Sequence, residues 1–293
     1  MSELVLYCKS YEGDVLRAVR LSRSIERHNR DGLRCFISVP HRDRALFQAR
    51  LGNTDLELID DEEIVRMNPR VDPGLYTDWD GRLSQQVIKS EFWRLVPCDA
   101  YVCIDSDAVF LRDFQGADFL HPDGSPYTVM HQQKELLQLA ANLGKVDVLE
   151  NYRTDASRVR EQFSRLGMDY DFGPSPLIWS PRVWQVLDQR ILEPAGMNLW
   201  DAIKRFPAEI RWYGETLLSY RSIPLYPIEP LMRVYHYDWQ WKAYHRQGET
   251  PETVAANFLG AVYQSNWQFE LDFGAKKRPW SSRLARRIKR GLR

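Results

Sequence analysis

Short apolar runs alternate with amphipathic segments along the first part of the chain. Runs dominated by apolar residues fit buried strands, and segments with apolar residues every three or four positions fit helices. The predicted order is strand 4–7, helix 14–29, strand 33–39, helix 41–51 and strand 56–59. Strands that alternate with helices over short links are typical of a mostly parallel sheet. The pattern therefore predicts an α/β fold in which helices flank the sheet.

The same alternation continues, less regularly, through the rest of the chain. A helix is predicted over 84–95 and a strand over 101–104, and strand-like segments return at 176–180 and 223–226. Between them, residues 115–168 are mostly polar, and we expect this stretch to form a helical insertion over one face of the sheet. No internal repeat interrupts this order, so the pattern favours a single domain.

The most informative stretch is the predicted strand 101–104, which ends in Asp105-Ser106-Asp107. Ligands bind at the carboxyl edge of open α/β sheets, which is where these carboxylates would lie. Residues two apart along an extended segment point the same way, so both carboxylates can reach one hard cation. A Mn²⁺ or Mg²⁺ ion held by few carboxylates keeps coordination positions free for a diphosphate. The sequence therefore predicts a metal site at Asp105 and Asp107.

Two further segments accompany this element. They are Lys9-Ser10-Tyr11-Glu12-Gly13-Asp14, after the first strand, and Gln85-Gln86-Val87-Ile88-Lys89. With Asp105-Ser106-Asp107 they resemble bacterial GT-A-fold glycosyltransferases found in surface-polysaccharide (O-antigen or capsule) clusters. The resemblance spans residues 1–240. It implies a GT-A-like, mostly parallel sheet flanked by helices, with a Rossmann-like nucleotide-binding half over 1–110 fused to an acceptor-binding half over 111–273.

The resemblance also implies an activity. Such enzymes move a sugar from a nucleotide-sugar donor, here expected to be a UDP-sugar, to a glycan or lipid-linked glycan acceptor. Mn²⁺ or Mg²⁺ serves as the cofactor. Donor contacts are expected from the end of the first strand and from the metal element, namely Lys9, Ser10, Tyr11, Asp14 and Ser106. Asp14 also stands where a helix cap would, and the two roles can coexist.

Two other segments are candidates for contacts with the donor or the acceptor. Gln86 and Lys89 lie three apart on one helical face before the metal strand. The resemblance implies that they reach the donor's sugar or phosphates, although a solvated helix face explains them equally well. The segment 171–176 combines an aromatic residue, a glycine and two prolines. It predicts either a rigid wall of a sugar site or a plain turn.

The segment Trp212-Tyr213-Gly214-Glu215-Thr216 resembles the W-G-x-E-D type element of several GT-A enzymes, in which a carboxylate opening a helix faces the acceptor. The spacing differs by one residue, and Thr216 stands where an acid is often found. Glu215 is therefore the candidate catalytic base, which would take the proton of the acceptor hydroxyl if configuration is inverted. The alternative is a Glu favoured at a helix start by the helix dipole.

The segment Tyr235-His236-Tyr237-Asp238-Trp239 supplies a further candidate ligand. A late histidine completes the metal shell in many GT-A enzymes, so the resemblance implies that His236 is the third metal ligand. Asp238 and His245 compete for that role, and a lone histidine is often structural. The surrounding aromatic residues can instead stack on sugar faces.

Charge divides the chain unevenly. The total of 40 basic and 40 acidic residues hides nine basic and no acidic residues over 276–293, which leaves the rest with a net charge of −9. Trp280, Leu284, Ile288 and Leu292 recur every four residues in this tail. A basic amphipathic helix of this kind suits an anionic membrane surface. With no recognisable signal peptide, we expect a cytoplasmic domain over 1–273 and a tail over 274–293 that holds it to the inner membrane face.

Two rival functions remain open. The strand that ends in Asp105-Ser106-Asp107 also fits the nucleophile strand of haloacid-dehalogenase-like phosphatases, but no later acidic pair follows it. A non-catalytic sugar-binding or nucleic-acid-binding protein is the other alternative. Because the basic tail is terminal and separate from an acidic core, we expect no nucleic-acid partner.

Overall fold

The computed structural model describes residues 3–74, 76, 79–265 and 267, without the side chains of residues 153 and 155. The predicted membrane-binding tail over 274–293 lies outside these residues. Within them, mostly parallel strands are flanked by helices, which confirms the predicted α/β class. None of the described helices combines the length and apolar character needed to cross a bilayer.

The described residues form ten strands and eleven α-helices. The strands are β1 (Leu4–Lys9), β2 (Cys35–Val39), β3 (Leu56–Asp60), β4 (Ala100–Asp105), β5 (Ala108–Phe110), β6 (Tyr127–Val129), β7 (Leu177–Trp179), β8 (Tyr226–Ile228), β9 (Met232–Tyr235) and β10 (Gly260–Tyr263). The helices are α1 (Val15–His28), α2 (Arg44–Leu51), α3 (Asp61–Arg66), α4 (Gly81–Glu91), α5 (Lys134–Asn142), α6 (Val146–Gln162), α7 (Pro181–Leu187), α8 (Leu199–Arg205), α9 (Glu209–Tyr220), α10 (Asp238–Arg246) and α11 (Pro251–Ala255).

The main sheet has the strand order β3-β2-β1-β4-β7. Its first four strands are parallel, and β7 runs antiparallel to β4. A three-stranded sheet of order β5-β10-β9 follows, and β6 pairs with β8. Because β5 starts only three residues after β4 ends, the second sheet begins beside the carboxyl edge of the first.

Two apolar clusters cover the main sheet. Residues of β1 alternate between them, with Val5 and Tyr7 in one cluster and Leu4 and Leu6 in the other. Continuous apolar strands of this kind are expected where a parallel sheet is buried on both faces. Each fully buried Val, Leu, Ile, Phe or Met side chain stabilises the fold by roughly 1.5–3 kcal/mol. Both clusters combine residues from before and after residue 110.

The stretch 115–168 was predicted to be helical, and this is only partly correct. Its first part forms a short 3₁₀ turn at Gly116–Asp118 and then strand β6, and helix begins at Lys134. The apolar and aromatic residues of 119–130 lack a helical period, so a strand paired with β8 buries them instead. The predicted strand 223–226 is likewise displaced toward β8, at Tyr226–Ile228.

Candidate functional site

Two neighbouring strands deliver the predicted donor and metal segments to one edge of the main sheet. In the parallel pair β1 and β4, Lys9 lies opposite Asp105. The residues that follow each strand therefore meet at the same edge, as the sequence predicts. They line a cavity of about 750 Å³, called the first cavity below. This volume falls within the usual range for small-molecule sites.

Most of the predicted donor and metal residues line the first cavity. They are Lys9, Ser10, Tyr11, Asp14, Lys89, Asp105, Ser106 and Asp107. Gln86 does not belong to this lining. Its side-chain amide donates to the carbonyl oxygen of Arg82 at 3.1 Å, and its carbonyl accepts from the backbone N–H of Glu209 at 3.3 Å. Gln86 thus joins α4 to the start of α9.

The Asp105 carboxylate is held by Lys89. The ammonium group of Lys89 lies 2.5 Å from Oδ1 of Asp105, and the Lys89 side chain is 8% exposed. Burial alone would lower the pKa of Lys89, but the charge of Asp105, with smaller contributions from Cys103 and Glu209, raises it above its usual value. The lysine therefore stays charged and fixes one oxygen of Asp105, leaving the other for a ligand.

Asp107 is held less completely. Its Oδ2 accepts a hydrogen bond from the backbone N–H of Ser265 at 2.7 Å, while its Oδ1 is buried without a hydrogen-bond partner among the described residues. Burial and, to a lesser degree, the charges of Asp105 and Asp14 raise the pKa of this carboxyl to about 7. A buried acid with an unused oxygen is costly, because ionisation lacks compensation there.

This donor set fits a divalent cation. Asp105 and Asp107 offer hard oxygen ligands, and a cation would satisfy the free Oδ1 of Asp107 and offset the repulsion between the carboxylates. Among the described residues, no group of three His, Cys, Asp or Glu side chains is arranged to hold a metal ion. Two carboxylates would therefore have to share the ion with water or with a phosphate ligand.

Two other residues of the first cavity have partners within the protein. The Lys9 ammonium is buried 2.8 Å from a carboxylate oxygen of Asp61, which also accepts from the Tyr76 hydroxyl at 2.7 Å. Asp14 pairs with Arg17 and makes no side-chain cap to the helix. Asp14 is thus the N-cap residue of α1, as predicted, but its carboxylate binds Arg17 instead of a backbone N–H of the helix. Both charges are neutralised where they line the cavity.

Part of the first cavity's lining was not predicted from the sequence. The missed residues include Arg42, Glu62, Tyr76, Trp79, Arg82, Gln264 and Ser265. Gln264 and Ser265 lie at the first cavity because β10, which precedes them, pairs with β5, and β5 directly follows the metal element. That long-range pairing leaves no local signal. Asp80, by contrast, has a local signal, because aspartate is a common N-cap residue. It caps α4 by accepting a hydrogen bond from the backbone N–H of Arg82 at 2.7 Å.

Glu215 lies away from this edge. It was predicted to open a helix, but α9 begins at Glu209, so Glu215 is in mid-helix. Its two oxygens bind Arg165 in a fork, with Nε at 2.5 Å and the second contact at 2.8 Å. The Glu215 side chain is 3% exposed and contributes to the lining of neither the first nor the second cavity described below.

The glycine before Glu215 also has a packing reason. A Cβ atom at Gly214 would come within 2.1 Å of the Phe172 ring, so only glycine allows α9 to approach the segment 171–176. The aromatic residues and the glycine of the segment 212–216, which made it resemble a catalytic element, thus pack the interior. Trp212 and Tyr213 are themselves 1% and 2% exposed.

His236 lines a second cavity of about 640 Å³ rather than the first. It follows β9, and its backbone N–H donates to the Gln240 side chain at 2.9 Å. Burial lowers the pKa of its imidazole, while the charges of Asp171 and Asp105 oppose that shift and His131 adds to it. His236 is thus within electrostatic range of the metal element, but the structure does not bring it into the same lining.

The segment 171–176 lies between the two cavities. Ser175 accepts, through Oγ, a hydrogen bond from the Asp105 backbone N–H at 3.0 Å, while Pro174 lines the second cavity. His131 Nε2 donates to the Gly173 carbonyl at 2.6 Å, and Asp171 accepts from the Gly173 N–H at 3.0 Å. These contacts fix the segment in place, and its role as a wall of a sugar site stays a prediction.

Comparison with known proteins gives a family and no activity. No curated protein matches the sequence significantly. A family model described as "Family of unknown function (DUF6492)" matches residues 3–281, which is nearly the whole chain. The chain therefore belongs to the DUF6492 family.

Proposed function

We propose that this protein is a metal-dependent glycosyltransferase that binds a nucleotide-sugar donor in the first cavity. The observation that carries the proposal is Asp107, a buried carboxylate at the carboxyl edge of the sheet whose Oδ1 has no hydrogen-bond partner within the described part of the chain. Beside it, Asp105 keeps one oxygen outside its pair with Lys89. Mn²⁺ or Mg²⁺ bound by Asp105 and Asp107 would neutralise the diphosphate of the donor as it leaves.

Other residues of the first cavity suit the rest of such a donor. Tyr11 is 51% exposed at the cavity, so its ring offers a face to a nucleobase. The Ser10 hydroxyl is buried without a hydrogen-bond partner among the described residues, and it can bind a ribose or phosphate oxygen. Lys89 holds Asp105 in place and adds positive charge near the diphosphate.

The reaction joins an acceptor oxygen to the anomeric carbon of the donor sugar. The bond from that carbon to the diphosphate breaks, the diphosphate keeps the electron pair, and the proton of the acceptor hydroxyl passes to an oxygen of the leaving diphosphate. Glu215 was predicted as the base for this proton. Its contacts instead support a structural role, because both its oxygens already bind Arg165.

The proposed acceptor is a glycan or lipid-linked glycan of bacterial surface polysaccharide synthesis. Action at the inner membrane face depends on the tail 274–293, which lies outside the described residues. Peripheral membrane binding therefore remains a prediction from the basic amphipathic pattern of that tail.

Calorimetric titration of the full chain with UDP and with GDP, with and without Mn²⁺, tests this function. We expect one of the two nucleotides to bind only with Mn²⁺. Asp105→Asn and Asp107→Asn should weaken that binding by about a hundredfold or more, because each removes a ligand charge from the ion. Asp55→Asn is the matched control, since Asp55 is exposed and outside the cavity lining.

Turnover of a nucleotide-sugar is the second measurement. Release of nucleotide from UDP- or GDP-sugars should stop in EDTA, resume with Mn²⁺ and be lost in both site variants. Full turnover in EDTA, or equal nucleotide binding by wild type and both variants, would show that the first cavity is not a metal–nucleotide site.

A further inference from the structure

The second cavity differs in chemistry from the first. Its polar interior consists of amide, imidazole and phenol groups, supplied by Gln132, Gln133, Tyr170, His131, His236 and Gln240. Met232, Val234 and Phe258 add apolar surface. A pocket that combines neutral hydrogen-bonding groups with apolar patches suits an uncharged ligand carrying several hydroxyl groups.

The charged residues of this cavity are balanced or lie at its rim. Arg233 pairs with Glu135 at 2.9 Å and with Glu249 at 2.8 Å, so its charge is neutralised within the protein. Lys134 and Glu229 are exposed. The described lining therefore offers no net charge to a ligand inside, which disfavours a phosphate or a carboxylate as the recognised group.

The interior polar groups are held in fixed positions. Gln133 donates to buried Asp171 at 2.9 Å, and Gln240 accepts from the His236 backbone. His131 Nε2 donates to Gly173, which leaves Nδ1 of its ring as an acceptor. Preorganised donors and acceptors of this kind lower the entropic cost of binding a polar ligand.

The second cavity adjoins the proposed donor site. The segment 171–176 links the two, with Ser175 bound to Asp105 on one side and Pro174 lining the second cavity on the other. The charge of Asp105 also acts on His236. Reactants in the two cavities would therefore lie close to the same carboxyl edge.

We propose that the second cavity is the acceptor site and that it binds an uncharged, hydroxyl-rich ligand the size of one or two sugar rings. The assignment rests on the proposed glycosyl transfer and adds to it the place and the chemical class of the acceptor. A volume of about 640 Å³ accommodates such a ligand. Tyr170 supplies an aromatic surface for a sugar face, and the amide groups supply hydroxyl partners.

Two variants of opposite kind test the site. Tyr170→Ala removes the aromatic surface, and Gln132→Trp adds bulk at a half-buried position of the lining. Gln138→Trp is the matched control, because Gln138 is exposed on α5 and does not line the cavity. Thermal melting of all three variants checks that each is folded.

Binding is measured by saturation-transfer NMR with a panel of p-nitrophenyl hexosides, lactose, maltose and chitobiose, in the presence of UDP and Mn²⁺. We expect at least one sugar to bind the wild type, and both lining variants to bind it roughly tenfold or more weakly, the effect of losing a principal contact. The Gln138 variant should bind it normally. UDP affinity, measured by calorimetry, should stay unchanged in all three variants.

The two ligands keep the two proposals separable. Absence of Mn²⁺-dependent nucleotide binding in the wild type would contradict the glycosyltransferase function itself. Normal nucleotide binding together with no bound sugar from the panel, or with sugar binding that both lining variants retain, would contradict the acceptor site alone. Competition between UDP and the sugar would also contradict it, because that result places both ligands in one cavity.

Discussion

Asp107 and Glu215 are both almost fully buried carboxylates, but the protein holds them in opposite ways. Asp107 has one oxygen on the Ser265 backbone and one without a hydrogen-bond partner among the described residues. Both oxygens of Glu215 are bound by Arg165. The repulsive charges near Asp107 come from Asp105 and Asp14, whereas the group next to Glu215 is a cation.

This difference separates two reasons for burying an acid. An acid whose partners are complete within the protein stabilises the arrangement of the elements that it joins, here α9 and the segment after α6. An acid left incomplete lowers stability unless a ligand completes it, and such groups concentrate at functional sites. Both residues belong to segments that were predicted from the sequence to be glycosyltransferase elements. Only Asp107 has the incomplete shell that a cofactor would fill.

Substitution of Glu215 should give the largest change in stability. Glu215→Gln leaves the half-buried Arg165 without its countercharge, and breaking a pair whose carboxylate is buried costs up to about 3–5 kcal/mol. For a chain of this size we expect the melting temperature to fall by roughly 10 °C. Differential scanning calorimetry measures this. Turnover per folded molecule, measured well below the transition, should stay near that of the wild type.

The double variant Glu215→Met, Arg165→Met sharpens this test. Replacing both partners of a buried pair with apolar residues is often neutral, so it should recover most of the lost stability. A stable Glu215→Gln protein whose turnover is about a hundredfold lower would reverse the interpretation and restore Glu215 as the base.

Asp107 should give a smaller stability effect, of opposite sign and dependent on pH. Because its folded-state pKa is raised to about 7, its proton is bound more tightly in the folded than in the unfolded chain. Its contribution to stability is therefore present below the unfolded value of roughly 4 and is lost as pH rises to about 7. Asp107→Asn removes this dependence and should melt a few degrees above the wild type at pH 8 in EDTA.

Melting curves of both proteins between pH 5 and pH 8.5 measure the difference, in which the titration of other groups cancels. We expect the melting temperature of the variant, relative to the wild type, to increase with pH. Mn²⁺ should raise the melting temperature of the wild type alone, since it favours the ionised carboxylate. Curves that stay parallel in EDTA would mean that Asp107 already has sufficient compensation in the folded protein.

Much of the fold was predictable because its signals are local. The runs 4–7 and 101–104 are too continuously apolar for strands with a solvent-exposed face. Both form inner strands of the main sheet. The position of Asp105 and Asp107 follows from the same logic, since parallel neighbouring strands end at one edge. Lys89 also lies at this site, because α4 packs beside the two strands and places the Lys89 ammonium group next to Asp105.

The rest depended on contacts between distant parts of the chain. Glu215 is completed by Arg165, 50 residues earlier, and nothing near Glu215 in the sequence indicates that partner. His236 is separated from the metal element by the segment 171–176, whose position is set by contacts with His131 and Asp105. Sequence patterns predicted which residues would carry chemistry. They did not determine which of them share a cavity.

Tyr11 should give the smallest effect, on binding rather than on stability. Tyr11 is 51% exposed beside the first cavity, and its ring lies over Gly13, where a Cβ would come within 2.6 Å of it. Stacking of a base on an aromatic ring contributes about 1–3 kcal/mol. We therefore expect Tyr11→Ala to weaken UDP binding with Mn²⁺ by roughly tenfold or more, with an unchanged melting temperature, and Tyr11→Phe to bind normally.

Gly13→Ala and Tyr220→Ala complete this experiment. The added methyl group of Gly13→Ala should displace the Tyr11 ring and weaken UDP binding less than loss of the ring does. Tyr220 is a tyrosine of similar exposure, 40%, at the end of α9 and outside both cavities, so its removal should leave UDP binding unchanged. If Tyr11→Ala binds UDP as tightly as Tyr220→Ala does, the base stacks elsewhere, and Trp79, which also lines the first cavity, becomes the aromatic residue to substitute.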